Sequence, residues 1–160
     1  MSLLYKFFEK VDSVKPAQSA RAHCDVPCGI YDPYEMQVAA HSVIRMVQLI
    51  KEAKDDMHKK VRCTVVKEQS AERVKHEARI IMGDYIKKEH VDAHPELHEI
   101  INKIMKLGSK TRQEVSEDAA KELLAEVQKF AEIFWKTKGV ATTRVKAPYP
   151  SGGDLVVPKQ

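Results

Sequence analysis

The chain has 160 residues, of which 43% are hydrophobic and 31% charged, a composition typical of one soluble globular domain with a core. Its net charge is +4, but the basic excess lies at the two ends, and residues 23–138 are neutral. Without a broad basic surface we expect no nucleic-acid partner. Without an apolar run near the ~20 residues that a membrane span needs, we expect no membrane segment.

Residues 1–22, MSLLYKFFEKVDSVKPAQSARA, are predicted to be a leader that is cleaved from the folded domain. Charged residues interrupt its apolar positions, so it lacks the apolar region of ~7–15 residues found in secretory signals. Ala20 and Ala22 nevertheless form an A-x-A-like cleavage site. An odd set of three cysteines does not indicate a disulfide scaffold. We therefore expect a cytoplasmic protein.

The next segment, residues 23–33 with the sequence HCDVPCGIYDP, is the part of the chain with the most distinctive chemistry, and we call it the hook. Pro27 disfavours a helix between Cys24 and Cys28, and Gly29 permits backbone angles that other residues avoid. A curled loop of this kind can bring both thiols to one point. Two thiolates beside the imidazole of His23 form a soft donor set suited to a late first-row metal.

Cleavage after Ala22 would enlarge the donor set of the hook, because His23 would then carry a free amine as well as its imidazole. With the backbone nitrogen of Cys24 and the sulfurs of Cys24 and Cys28, a planar set of two nitrogens and two sulfurs with one axial nitrogen becomes available. This tetragonal arrangement suits nickel or copper and disfavours zinc.

Four amphipathic helices are predicted after the hook, within residues 34–139. The first begins at Asp32-Pro33, a capping residue followed by a proline suited to the first helical position, and runs to about Asp55. The others are expected over about 62–89, from Pro95 until Gly108 ends the helix, and from about Thr111 or Ser116 to Gly139. The predicted buried positions are Val43, Val47, Ile50, Ala53 and Met57; Val74, Ala78, Ile81 and Tyr85; Leu97, Ile100, Ile101, Ile104 and Leu107; Leu123, Val127, Phe130 and Phe134.

These elements predict an all-α fold, a four-helix bundle that carries the hook at its N-terminal side. No convincing alternating strand pattern accompanies them. Residues 140–160 are rich in proline, glycine and polar residues, and we expect an irregular C-terminal tail.

The hook sequence resembles the metal-binding hook of the nickel-dependent superoxide dismutases, whose pattern is H-C-D-x-P-C-G-x-Y-D-P. Further similar pieces follow in order: TVVKEQSAE at 64–72, KH at 75–76, DYIK at 84–87, PELH at 95–98 and IFWKTK at 133–138. The resemblance thus covers about residues 23–138. It implies an enzyme that converts superoxide to oxygen and hydrogen peroxide with one nickel ion per subunit, in a homohexamer of four-helix-bundle subunits whose leader is removed by a dedicated protease.

The resemblance also implies roles for individual residues. It assigns the nickel ligands to the amine and side chain of His23, the amide nitrogen and sulfur of Cys24, and the sulfur of Cys28. Tyr31 and Tyr85 correspond to the tyrosines that line the approach to the metal, and Asp25 corresponds to a residue that orders the hook. Anionic sulfur and amide donors stabilise nickel(III), which brings the redox potential of the nickel(III)/nickel(II) couple into the range that superoxide turnover requires.

One part of the family pattern is missing. In the family a glutamate of the first helix and an arginine of the second hold the axial imidazole, and these positions are Ala39 and Ser70 in this chain. Such outer partners orient a ligand and tune its basicity. We therefore expect another group to hold the imidazole of His23, with a water or a neighbouring subunit as further alternatives.

Two other functions remain open from the residues alone. A metal-delivery protein could use His23, Cys24 and Cys28 without cycling the metal, and a helical oligomerisation module could use the two cysteines as a redox pair. The histidines at 90, 94 and 98 are spaced like ligands on one helix face, but Pro95 interrupts them and we expect solvated or capping roles. Cys63 is expected to be a small buried residue.

Overall fold

The structure, a computed structural model, describes residues 28–159 and consists mainly of a four-helix bundle. The bundle helices are α1 (Tyr34–Glu52), α2 (Met57–Ile80), α4 (Leu97–Gln113) and α5 (Glu117–Thr137). A π-helical turn, Ile81–Tyr85, and a short helix, α3 (Lys88–Ala93), connect α2 to α4. Each bundle helix packs against two others in the cyclic order α1, α2, α4, α5. The predicted all-α bundle is confirmed, and no helix within residues 28–159 is long and apolar enough to cross a membrane.

Side-chain caps fix where three of the helices begin. The backbone N–H of Tyr34 donates to Asp32 Oδ1 (2.8 Å), as the Asp-Pro pair predicted for α1. Asp56 Oδ1 accepts from Lys59 N (2.9 Å) at the start of α2, and Ser116 Oγ accepts from Ala119 N (3.2 Å) at the start of α5. The sequence therefore predicted the starts of α1 and α5 closely, whereas α2 begins at Met57, five residues before the predicted boundary.

Most positions of the predicted apolar stripes are buried, while Tyr85 and Ile101 are only partly buried against the core, and two further predictions are corrected. Met57 is 65% exposed, because α1 ends at Glu52 and Met57 begins the next helix. Gly108 does not end a helix but lies inside α4, where a Cβ would come within 2.7 Å of Lys75 Cγ. This glycine permits α2 and α4 to approach closely, so it was wrongly assigned as a helix terminator.

The expected irregular tail is also corrected, because residues 142–158 form a β-hairpin. Strands β1 (Thr142–Lys146) and β2 (Asp154–Pro158) pair antiparallel, with Arg144 opposite Val156. The side-chain amide of Gln37, on α1, donates to Val156 O (2.9 Å) and accepts from Val156 N (2.7 Å). Val156 is 2% exposed. Tertiary contacts of this kind, rather than strand propensity, hold the hairpin on the bundle.

His41 on α1 joins the hairpin to the bundle through both ring nitrogens. Nε2 lies 3.1 Å from Asp154 O, and Nδ1 lies 3.0 Å from Ser151 Oγ. A carbonyl oxygen only accepts, so Nε2 carries the proton and Nδ1 of the neutral ring accepts from the serine. Burial lowers the pKa of His41, while the hydrogen bond to the backbone of Asp154 and the nearby Asp154 charge oppose this shift.

Acidification is expected to destabilise the protein through His41. Because the folded-state pKa is lowered, the unfolded chain takes up a proton first as the pH falls below about 6.5. The neutral ring thus stabilises the fold above this pH, and the contribution is lost at lower pH. The free energy of unfolding, measured with denaturant between pH 7.5 and 5.5, should depend less strongly on pH in His41→Gln than in the wild type. The control is substitution of the exposed His58 by glutamine. A His41→Gln variant whose stability depends on pH as strongly as that of the wild type would contradict this role of His41.

Candidate metal centre

Cys28 is the hook thiol that lies within the described residues, at the end of the bundle where α1 begins. It is exposed, and its Sγ accepts a weak hydrogen bond from Ile30 N (3.5 Å). Gly29 adopts a φ of +73°, the left-handed geometry predicted for this loop. The predicted residues His23, Cys24 and Asp25 lie outside the described residues. In residues 28–159, no three His, Cys, Asp or Glu side chains are grouped to hold a metal by themselves.

An open cavity of about 340 Å³ adjoins the Cys28 thiol. Hook residues form one side, and the first turn of α1 and the end of α2 form the other. The residues that line the cavity are Cys28, Ile30, Tyr31, Asp32, Glu35, Glu77, Ile80 and Ile81. The cavity therefore combines a soft sulfur donor, a phenol and carboxylates at one end of the bundle.

The structure brings the two predicted site tyrosines together. The rings of Tyr31 and Tyr85 lie 5.7 Å apart between centroids, although 54 positions separate them in the sequence. Tyr85 packs against Phe134 (4.9 Å between centroids), and its hydroxyl lies 2.9 Å from Thr137 Oγ1. Since Thr137 Oγ1 donates its own proton to Phe134 O (2.7 Å), the Tyr85 hydroxyl is the donor to Thr137. The Tyr85 ring is thus fixed from two sides.

Lys138 supplies positive charge beside this tyrosine pair, and sequence analysis missed it. Its Nζ lies 4.8 Å from the Phe134 ring centroid and 5.3 Å from that of Tyr85, and it donates to Tyr31 O (3.3 Å). The four-residue separation from Phe134 puts both side chains on one helix face, and this spacing was the available signal.

A second charged cluster, the Glu35–Arg73–Glu77 triad, was also missed. Arg73 Nη2 on α2 donates to Glu35 Oε2 on α1, and Arg73 Nε lies 3.3 Å from Glu77 Oε1. The hydrogen bond and the charge of Glu35 raise the pKa of the Arg73 guanidinium above its usual value. Glu77 is 8% exposed, and both carboxylates line the Cys28 cavity. The triad therefore connects α1 and α2 beside the hook.

The positions of the two missing family residues lie next to the triad. Ala39 and Ser70 line an adjoining cavity of about 480 Å³, together with Glu35 and Arg73. This cavity between α1 and α2 thus has no charged side chain at positions 39 and 70, and the Glu35–Arg73 ion pair lies about one helical turn away from them.

The histidines for which solvated or capping roles were predicted, and Cys63, lie away from the Cys28 cavity. His90 Nδ1 accepts from Lys87 N (3.2 Å) at the start of α3, and its ring stacks on Tyr85 at 5.3 Å, which confirms a capping role. His94 Nδ1 lies 3.6 Å from Glu96 Oε1. Cys63 is buried on α2, as predicted.

The fold and the site together define a helical-bundle protein with a candidate metal site at one end of the bundle, where an exposed thiol lies beside two packed tyrosines. Comparison with known proteins gives the particular class. A family described as "Nickel-containing superoxide dismutase" matches residues 18–138, which is most of the chain. The chain belongs to this family. The predicted enzyme class, a superoxide dismutase, and the predicted nickel cofactor are thereby confirmed.

Individual relatives agree with this membership. The chain is 37% identical over 123 residues to "Superoxide dismutase [Ni]" of Streptomyces seoulensis, covering 77% of this chain and 93% of the relative. The protein of the same name from Streptomyces coelicolor shows the same identity and coverage. A solved native nickel superoxide dismutase is similar with a TM-score of 0.67 and 37% identity, over 72% of this chain and 99% of that one. The hairpin lies beyond the residues that the family matches.

Proposed function

We propose that this chain is the precursor of a superoxide dismutase whose active form begins at His23. The amine and imidazole of His23, the amide nitrogen and sulfur of Cys24, and the sulfur of Cys28 would hold one nickel ion per subunit. The observation that carries this proposal is the exposed Cys28 thiol, which opens onto the cavity that Tyr31 lines beside Tyr85.

The donor set fits nickel for chemical reasons. Thiolate and amide nitrogen donors in a tetragonal set match the preference of nickel(II), while zinc prefers a tetrahedral one. When bound, nickel supplies one-electron chemistry, alternating between the divalent and trivalent states as two superoxide anions and two protons become one dioxygen and one hydrogen peroxide.

The protein's own residues contribute access and charge. Tyr31 lines the cavity beside the hook and is packed against Tyr85, and this pair limits contact between the thiolates and peroxide that would oxidise them. Lys138, beside both tyrosines, attracts the superoxide anion toward this end of the bundle. Asp25 would order the hook.

We propose that the enzyme is a cytoplasmic homohexamer processed by a leader protease. Exposed apolar residues on α2 support subunit contact, because Met57, Val61 and Val65 are 65%, 57% and 49% exposed at four-residue spacing. Such a stripe follows one helix face and is suited to packing against another copy. The leader 1–22, the hook 23–33 and the bundle 34–139 are the proposed functional divisions of the chain.

The test is leader removal. Nickel-loaded protein that begins at His23 is expected to consume superoxide catalytically, whereas protein that retains residues 1–22 should be inactive because His23 then lacks a free amine. Superoxide decay measured by stopped flow distinguishes the two forms, and zinc-loaded trimmed protein serves as the inactive control. Equal activity in both forms would contradict the amine ligand. Tight nickel binding without activity in either form would instead favour the metal-delivery protein.

A further inference from the structure

We propose that Ser151, His41 and Asp154 form a second catalytic site, a serine esterase site that acts on short-chain carboxylic esters. It lies where the turn between β1 and β2 meets α1. Its cavity shares no lining residue with the Cys28 cavity, so the two sites are separate. The hairpin also lies beyond residues 18–138, so the nucleophile does not belong to the part of the chain that the family matches.

The first argument is the arrangement of a nucleophile, a base and a group that orients the base. Ser151 Oγ lies 3.0 Å from His41 Nδ1, and His41 Nε2 lies 3.1 Å from Asp154 O. Because the Asp154 carbonyl holds the ring proton on Nε2, the lone pair of Nδ1 faces the serine hydroxyl. A hydroxyl within about 2.6–3.2 Å of a base that a third group orients is the arrangement that activates a serine nucleophile.

The second argument is the protonation state of His41. The residue is 2% exposed, and burial lowers its pKa, so the ring is neutral near neutral pH and can take up a proton. The hydrogen bond to Asp154 O and the Asp154 charge oppose this pKa shift, and both stabilise the imidazolium that forms when the serine loses its proton. Asp154 therefore acts as the positioning residue of the site.

The third argument is the shape of the turn that carries the serine. Gly152 and Gly153 follow Ser151 with φ values of +70° and +80°, the left-handed region that glycine adopts readily. A Cβ at Gly153 would lie 3.5 Å from His41 Cε1, so the backbone of the turn packs directly on the imidazole. The turn thus places the serine hydroxyl and the Asp154 carbonyl at the two nitrogens of one ring.

The hairpin does not depend on the serine hydroxyl to stay on the bundle. Gln37 exchanges two hydrogen bonds with the backbone of Val156, and Gln128 Nε2 donates to Asp154 O (2.6 Å). The half-buried Ser151 hydroxyl adds a contact to a hairpin that these residues already hold. Anchoring therefore does not account for a serine placed on the accepting nitrogen of a neutral histidine.

A cavity of about 210 Å³ provides room for the substrate beside the serine and the histidine. Its other lining residues include Val38, Met46 and Pro150, whose apolar side chains suit an acyl chain. Pockets that hold drug-sized ligands have volumes of about 300–1,000 Å³, so this smaller cavity fits a short ester.

Arg45 supplies positive charge to the same cavity. Its Nη1 donates to Gln48 Oε1 (3.2 Å) and to Glu52 Oε1 (3.3 Å). A guanidinium carries five N–H donors, so others remain for the substrate. A cation here stabilises the oxyanion that forms when the serine adds to the ester carbonyl.

The proposed reaction is ester hydrolysis in two steps. The Ser151 oxygen bonds to the carbonyl carbon while its proton moves to His41 Nδ1, and that proton then passes to the departing alkoxide, which leaves as an alcohol. Water next attacks the acyl-serine, and its proton moves through Nδ1 to the serine oxygen as the carboxylic acid is released. The sum is ester plus water giving carboxylic acid plus alcohol, without an oxidant or a reductant.

The test uses the full-length chain with p-nitrophenyl butyrate as the substrate and diisopropyl fluorophosphate as a label for activated serines. The wild type should hydrolyse the ester catalytically and carry the phosphoryl label on Ser151, identified by peptide mass spectrometry. Ser151→Ala should lose the label and the catalytic hydrolysis. His41→Gln should slow both reactions by ~100-fold or more, the contribution of a positioned base.

Ser109→Ala is the matched control. Ser109 is also half-buried and its Oγ lies 3.0 Å from a basic group, Lys75 Nζ, but it belongs to α4 and does not line this cavity. This variant should keep the label on Ser151 and the wild-type rate. The thermal unfolding midpoint shows whether each variant is folded, and Ser151→Ala decides the question if His41→Gln fails to fold.

Two results would overturn the proposal. One is a wild type that takes up no label on Ser151, and the other is a Ser151→Ala variant that hydrolyses the ester as fast as the wild type. Either result would leave the Ser151–His41 hydrogen bond as a contact that only holds the hairpin, and the proposed superoxide dismutase function would stand because it uses a separate site.

Discussion

Cys28→Ser is expected to abolish nickel-dependent superoxide consumption while the helical bundle stays folded. A serine hydroxyl remains protonated near neutral pH and is a hard donor, so it does not replace an anionic sulfur at a soft site. Loss of an outer partner of a metal ligand costs ~10–100-fold, and loss of a ligand itself should cost more. The fold should tolerate the change because Cys28 is exposed and its Sγ accepts a weak hydrogen bond from Ile30 N (3.5 Å).

Cys63→Ser provides the matched control for this prediction. Cys63 is buried on α2, so a hydroxyl there should cost about 1–3 kcal/mol of unfolding free energy while nickel content and activity per folded chain are unchanged. Nickel per chain after dialysis, superoxide decay and thermal unfolding measure the three quantities. A Cys28→Ser protein that keeps its nickel and its rate would contradict the assignment of this sulfur as a ligand.

The helices were predictable because their apolar residues recur at the helical period. The stripe of Leu123, Val127, Phe130 and Phe134 is fully buried, and Ser116 caps the helix that carries it. Gly108 was misassigned because a glycine that ends a helix and a glycine that permits close helix packing look alike in one sequence. The hairpin was missed because its stability depends on Gln37 and His41 of α1, more than 100 positions away in the sequence.

The candidate site was predictable where its residues are adjacent in the chain and hidden where they meet through packing. Cys28 and Tyr31 lie in one short motif, and the predicted ligands His23 and Cys24 and the ordering residue Asp25 remain predictions from that motif. Glu35 and Arg73 come together only through the register of α1 against α2. In the sequence, charged residues on amphipathic helices are indistinguishable from an ordinary solvated face.

Phe134→Ala is expected to cost about 3–5 kcal/mol of unfolding free energy and to lower the superoxide rate of the protein that remains folded. Phe134 is 0% exposed and packs against Tyr85 (4.9 Å) and Trp135 (5.3 Å), with Lys138 Nζ 4.8 Å from its ring. Its removal leaves a cavity under Tyr85, so the ring that faces Tyr31 loses its support. The same deletion should loosen Lys138, because that ammonium lies over the lost ring.

Phe130→Ala separates the loss of stability from the loss of the site. Phe130 lies one turn earlier on α5 and is also 0% exposed, so its deletion should cost a similar free energy while leaving in place the Phe134 ring that packs against Tyr85. Denaturant unfolding gives the two free energies, and superoxide decay at a temperature where both variants are folded gives the two rates. If Phe130→Ala lowers the rate as much as Phe134→Ala, the effect comes from general loosening of the bundle, and the support of Tyr85 by Phe134 has no separate role. A rate lowered only in Phe134→Ala would identify the aromatic packing beneath the tyrosine pair as part of the machinery that limits access to the metal.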